Sequence, residues 1–134
     1  MKKYSFILIL VAVLIANIGC SKKSDSDGSS AFRSVSPSEA MKLIEMKRDL
    51  LIVDIRSPEE LSEGYIAGSL FIPFWEIVQG RKGLPKDRPL LLICAVGGRS
   101  YAIGQALAQG GWPEIYNLSG GISVWKREGF PLKY

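Results

Sequence analysis

The sequence predicts an α/β fold in three layers, α/β/α, around a central, mostly parallel sheet of five strands. Three observations lead there. Short apolar runs alternate with stretches of helical periodicity from residue 32 onward, the pattern of strands joined by crossover helices. Most of those runs are apolar throughout, as strands covered on both faces are. Two helix starts are announced by Ser-Pro-x-Glu sequences, Ser36-Pro37-Ser38-Glu39 and Ser57-Pro58-Glu59-Glu60, which combine a capping box with proline at the first helical position.

Taken in order, Phe32 to Val35 reads as a first strand. The helix begun at Ser36 carries Ala40, Leu43, Ile44 and the stem of Lys47 at helical spacing and is expected to end at Asp49. Leu50 to Val53 is a second apolar strand that delivers Asp54-Ile55-Arg56 to its carboxyl end. A short helix follows from Ser57, ending at Gly64. Ser69 to Ile72 reads as a third strand stopped by Pro73, Phe74 to Val78 as a helical turn, and Gln79 to Pro89 as a loop. The run Leu90-Leu91-Leu92-Ile93 is a fourth strand, buried by its composition;. It ends at Cys94, turns through Gly97-Gly98 and opens a helix at Arg99 or Ser100 that runs to Gln109 and stops at Gly110-Gly111. Glu114 to Leu118 is the last strand. Gly120-Gly121 leads into a final amphipathic helix with Val124 and Trp125. No internal repeat is present.

The chain has 134 residues, enough for one domain after any targeting segment is removed;. Two of its 17 basic residues are Lys2 and Lys3, which leaves the rest with 15 against 13 acidic residues. This near balance offers no argument for nucleic-acid binding. There is no histidine, which removes His-based zinc sites, Ser-His-Asp triads and Cys-His dyads. No metal site is expected.

Residues 1–20 start with Lys2 and Lys3 and run mostly apolar from Phe6 to Ile18. That run is short of the about 20 apolar residues a membrane span needs and has the proportions of a signal-peptide core. Its end, Asn17-Ile18-Gly19-Cys20, resembles the cleavage box of bacterial lipoproteins, although Asn17 stands where an aliphatic residue is usual. The resemblance implies lipidation at Cys20 and an exported domain held on a membrane of the bacterial cell envelope. An uncleaved N-terminal anchor is the alternative. Ser21 to Ser30 is polar, small-residue chain with nothing to bury and reads as a flexible tether;. The expected organisation is therefore 1–20 signal peptide, 21–31 tether and 32–134 folded domain. Cys20 and Cys94 fall in separate parts of it and are not expected to pair.

In parallel sheets ligands bind beyond the carboxyl ends of the strands, and both Cys94 and the Asp54/Arg56 pair fall on that edge. A cysteine there faces the amides of its loop and the positive end of the next helix, both of which favour thiolate over thiol. The competing view of Cys94 is a small buried hydrophobe ending a strand. The Gly97-Gly98-Arg99-Ser100 continuation favours the nucleophile, since a structural turn has no need of an arginine over its mouth. Arg99 has two readings that the sequence leaves open: capping an anion in the loop, or pairing outward with a carboxylate and holding the loop's shape. Asp54 and Arg56 read as supporting braces of the crevice, and Trp112 and Trp125 as core aromatics.

These residues resemble the single-domain rhodaneses. Leu51 to Glu60 is similar to that family's "DvR…pEE" segment, Gly64 to Ser69 to its "GHIxGA" segment with Tyr65 in place of histidine, Cys94 to Ser100 to its active-site loop, and Tyr116 to Ile122 with Trp125 to its closing "GG…W" segment. The resemblance spans residues from about Phe32 to the end. It implies a rhodanese-like fold and sulfur transfer: a donor such as thiosulfate gives a sulfane sulfur to Cys94, and a thiol, a protein or cyanide takes it from the persulfide. Cys94 is then the catalytic residue. Ala95, Val96, Gly97, Gly98, Arg99 and Ser100 form the substrate-binding loop, and Asp54 and Arg56 support it. No cofactor beyond the covalent persulfide is implied, and a monomer is expected. Ala95 and Val96 make the mouth neutral and apolar, which implies weak use of thiosulfate and a larger persulfide or protein thiol as partner. Three other readings compete. A cysteine phosphatase needs five residues between cysteine and arginine, and only four, Ala95 to Gly98, lie here. A non-catalytic, envelope-anchored domain could bind a partner or a sulfur species without turnover, but rhodanese-like domains that lost activity usually lost the cysteine, and this one keeps it. Redox sensing by Cys94 is weaker still, for want of a resolving cysteine in the domain.

Overall fold

The computed structural model describes residues 30–134; the signal-like segment, Cys20 and most of the tether lie outside the described residues. Ten elements alternate along the chain. They are β1 (Phe32–Val35), α1 (Pro37–Met46), β2 (Leu51–Asp54), α2 (Pro58–Leu61), β3 (Leu70–Phe71), α3 (Phe74–Val78), β4 (Leu90–Ile93), α4 (Gly98–Gln109), β5 (Ile115–Leu118) and α5 (Gly121–Arg127). The strands form one sheet in the order β1-β5-β4-β2-β3. Every strand pairing in it is parallel, including the edge strand β3.

Period-2 geometry sorts the strand side chains onto two faces. Leu91 and Ile93 point into a core with Val35, Ala40, Ile52, Leu118 and Trp125, closed by α1 and α5. Leu90 and Leu92 point the other way, into a core with Val53, Ile55, Ile103 and Ile115, closed by α3 and α4. All four β4 residues are therefore buried, and Cys94 continues the second face. Trp125 is fully buried and donates its indole N–H to Pro131 O at 2.9 Å. Trp112 packs only partly buried against the second core, with Lys86 Nζ 4.2 Å above its ring.

Both capping boxes form as the sequence predicts, with Ser36 and Ser57 as caps and Glu39 and Glu60 reaching back to the cap amides. Several boundaries differ from expectation. α1 ends at Met46, before Asp49, because Lys47 turns to extended backbone while its N–H still bonds Leu43 O. α2 closes at Leu61, short of Gly64. β3 contracts to two exposed residues that pair only with β2, so apolar composition there did not mean burial. The helix after Cys94 starts at Gly98, not at Arg99 or Ser100, because Gly97 adopts φ +90° and caps it directly.

β2 and β4 lie side by side, with Asp54 opposite Ile93 in the register. The chain leaves β2 toward β3 on one side and leaves β4 toward β5 on the other, so a crevice opens between their carboxyl ends. One wall is a buried ion pair. Arg56 donates Nε and Nη2 to the Asp54 carboxylate at 2.9 and 2.7 Å, then Nη1 to Glu60 O and Nη2 to Gly64 O at 3.0 and 2.8 Å. Both side chains are essentially inaccessible. Removing one partner leaves an uncompensated buried charge. Asp54→Ala is expected to lower unfolding free energy by about 3–5 kcal/mol, measured as a fall in urea midpoint.

Candidate active site

Cys94 sits one residue past β4, 1% exposed, under its own loop. The loop curls back so that the Gly97 N–H points at the Cys94 sulfur at 3.1 Å. Ser100, on the first turn of α4, brings its hydroxyl to 3.2 Å from the same sulfur. Burial pushes the Cys94 thiol up, but hydrogen bonds from the Ser100 hydroxyl and the amides of Ser100, Gly97 and Val96 outweigh it and hold the thiol below its ordinary value;. The sulfur is thus buried among donors, which suits an anion.

Ser100 does not act alone. Its single hydroxyl hydrogen is shared between the sulfur and Asn117 Oδ1, an acceptor 2.6 Å away, and Asn117 Nδ2 donates to Ser34 Oγ at 3.0 Å;. A polar chain therefore runs from β1 through β5 to the sulfur. Asn117 is 3% exposed and was passed over in the sequence, although it is the one polar side chain in Ile115–Leu118. That interruption of an apolar strand was the available signal.

The loop's shape is imposed by the start of α5. Ile122 and Ser123 donate their N–H groups to the carbonyls of Cys94 and Ala95 at 2.9 and 3.0 Å. Gly121, at φ +59°, lies so close that a Cβ would stand 2.3 Å from the Cys94 oxygen. A side chain there collides with backbone that cannot move. Gly121 therefore lets two backbones touch, while a Cβ on Gly120 would meet the Val124 side chain 2.1 Å away.

Both candidate roles of Arg99 bear on what the structure shows. Its Nη1 and Nη2 donate to the two carboxylate oxygens of Glu60 at 3.0 and 2.5 Å, a bidentate pair;. Glu60 also accepts the Ser57 N–H of its capping box at 2.9 Å. The guanidinium lies 5.6 Å from the centre of the Phe74 ring. Arg99 is held above its ordinary pKa chiefly by Glu60, and the nearby Cys94 sulfur adds in the same direction. Glu60 is pulled down to about 2, first by its hydrogen bonds to Arg99 and then, against the opposing effect of burial, by the Ser57 amide. The sequence showed Glu60 only as a helix cap. Its second role needed the fold, since 39 positions separate it from Arg99.

Of the remaining loop residues, Val96 is 68% exposed at the mouth, Gly98 is exposed and Ala95 half-buried. Asp54 and Arg56 form one wall of the crevice, and no hydrogen bond joins them to the Cys94 sulfur. Tyr65 is tied to the C-terminal segment by two backbone hydrogen bonds with Lys133, both 2.8 Å, and packs edge-on against Phe71.

Comparison with known proteins agrees with this geometry. Residues 36–128 match the family described as the rhodanese-like domain. A sulfurtransferase of Allochromatium vinosum is 40% identical over 84 residues, covering 63% of this chain and 78% of the relative. The thiosulfate sulfurtransferase GlpE of Coxiella burnetii is 32% identical over 95 residues, covering 71% and 88% respectively. Among solved structures, a rhodanese-related protein from Thermoplasma volcanium superposes with a TM-score of 0.66 at 35% identity, over 75% of this chain and 97% of that one.

Two expectations arise from the site. Ser100→Ala removes a donor to the sulfur, so the thiolate titration followed by ultraviolet absorbance should move to higher pH. The Glu60 carboxylate lies below its unfolded value of about 4.3, so the stability it contributes is whole above that value and lost as pH falls through about 2;. Urea midpoints across this window should fall more steeply in the wild type than in Glu60→Gln.

Proposed function

The chain belongs to the rhodanese-like family, and from that premise we propose that it is a sulfurtransferase in which Cys94 carries a sulfane sulfur between donor and acceptor. One observation carries this reading: a buried cysteine sulfur, at the carboxyl end of the central strand, faced by the Gly97 amide and the Ser100 hydroxyl and held toward thiolate. The naming of relatives as sulfurtransferase and thiosulfate sulfurtransferase supports it.

The thiolate attacks the sulfane sulfur of the donor. With thiosulfate the S–S bond breaks toward sulfite: Cys–S⁻ and S–SO₃²⁻ become Cys–S–S⁻ and SO₃²⁻. With an organic persulfide, Cys–S⁻ and HS–SR become Cys–S–SH and RS⁻. The inward-facing N–H of Gly97, with the Ser100 hydroxyl, stabilises the sulfur anion before and after transfer. A thiolate acceptor then attacks the outer sulfur and leaves as a persulfide, or cyanide takes it as thiocyanate, and Cys–S⁻ is regenerated. The exposed apolar Val96 at the mouth favours a donor larger than thiosulfate. The lysine start, apolar run and Cys20 support an exported domain on a lipid anchor, for which donor and acceptor belong to the cell envelope.

The test is thiocyanate formation from thiosulfate and cyanide by the full chain, beside Cys94→Ala. Turnover that falls to the uncatalysed background in the variant, with one added sulfur on Cys94 in intact mass spectra, is expected. Absence of turnover and of added sulfur after exposure to several sulfane donors would overturn the proposal in favour of a binding module.

A further inference from the structure

One hydrogen in the site has two near claimants. The Ser100 hydroxyl carries a single hydrogen and lies 3.2 Å from Cys94 Sγ and 2.6 Å from Asn117 Oδ1. Gly97 O, at 3.3 Å, is a more distant third acceptor. The choice matters to the sulfur. Burial pushes the Cys94 thiol up, and the Ser100 hydroxyl heads the hydrogen bonds that outweigh it. Whatever draws that hydrogen away returns the sulfur toward thiol.

Asn117 is placed to draw it. Its side chain is 3% exposed, so the carboxamide has no bulk water to turn to. Its Nδ2 donates to Ser34 Oγ at 3.0 Å, across a β1–β5 pairing in which Ser34 and Asn117 are direct partners. That bond fixes the amide with its oxygen, which can only accept, toward Ser100. The charged groups on the surrounding elements are engaged with one another. Arg99 on α4 pairs with Glu60 on α2, and Asp54 at the end of β2 pairs with Arg56. Glu76 on α3 pairs with Arg81, and Glu114, just ahead of β5, pairs with Lys47. Lys126 and Arg127 lie in the last turn of α5, whose first turn seats the loop. Asn117 is thus the neutral group through which β5 reaches the donor of the sulfur.

We propose that Asn117 is a positioning residue for sulfur transfer: its amide oxygen competes with Cys94 Sγ for the one Ser100 hydrogen, so the sulfur stays a stronger nucleophile than the loop donors alone would leave it. The physical reason is general. A thiolate stabilised by donors ionises more readily but attacks more slowly, roughly threefold for each tenfold gain in acidity. Asn117 acts through Ser100 and touches no reacting atom. The assignment rests on the sulfur-transfer reading above.

Asn117→Leu keeps the bulk of the side chain and removes the competing acceptor. Single-turnover loading of sulfur from thiosulfate onto the full chain is followed across pH by intact mass, beside the thiolate titration read by ultraviolet absorbance. Release of the Ser100 hydrogen to the sulfur should move the titration to lower pH. For one net hydrogen bond, loading should be about twofold faster below both midpoints and about twofold slower above them, so that the two pH profiles cross. In the Ser100→Ala background the same substitution should move neither readout. Loss of mere strand packing would instead slow loading at every pH and leave the titration in place or raise it, with or without Ser100. That result overturns the assignment and leaves sulfur transfer intact. Should Asn117→Leu not fold, the wild type decides: the nuclear magnetic resonances of the Asn117 side-chain amide should follow the Cys94 titration and cease to follow it in Ser100→Ala. Resonances that ignore the titration, or follow it equally in both, overturn the assignment. If sulfur never loads onto Cys94 in the wild type, the sulfur-transfer reading falls and takes this one with it.

Discussion

The site depends on one backbone contact, the seating of the Cys94 loop on the first turn of α5. The N–H groups of Ile122 and Ser123, which have no partners within their own helix, bond the Cys94 and Ala95 carbonyls;. This solves two problems together. The helix start is satisfied without a side-chain cap, and the loop carbonyls are turned away from the sulfur. With those carbonyls committed outward, the Gly97 amide turns inward. The same contact explains why residue 121 is a glycine at positive φ, since a Cβ there has no room against the Cys94 oxygen, whereas at Gly120, also at positive φ, a Cβ would run into the Val124 side chain.

A second constraint holds the walls. The loop after β2 carries Arg56, whose buried guanidinium joins Asp54, the end of α2 and Gly64 into one unit. α2 then projects Glu60 across to Arg99 on α4. Two arginine–carboxylate pairs therefore link the β2 and β4 sides of the crevice in series. One is buried and braces the fold. The other is about one-third exposed and ties α2 to the first turn of α4. The same glutamate thus caps a helix and holds an arginine.

Much of this was legible in the sequence because it is local. A capping box needs four consecutive residues, a buried parallel strand a short apolar run, and the cysteine loop seven positions. Cys94, the glycine turn, the capped helices and the five-stranded arrangement all follow from such short-range patterns. Boundaries shifted where tertiary pairing outweighed composition. β3 is apolar yet exposed, as an edge strand with one neighbour. α4 begins a residue early because Gly97 can adopt the left-handed conformation that caps it.

The sequence by itself determined the fold class, the position of the cysteine loop and the edge of the sheet on which it sits, since periodicity and chain connectivity dictate these. Only the tertiary structure decided what Arg99 faces, why Asn117 is polar in an apolar strand, and that Glu60 serves more than its helix. Those roles rest on contacts between residues 17 to 83 positions apart. The physical reason is that such pairs carry no local periodicity: a side chain's partner across a crevice is chosen by how strands stack and helices pack, not by its neighbours in the chain.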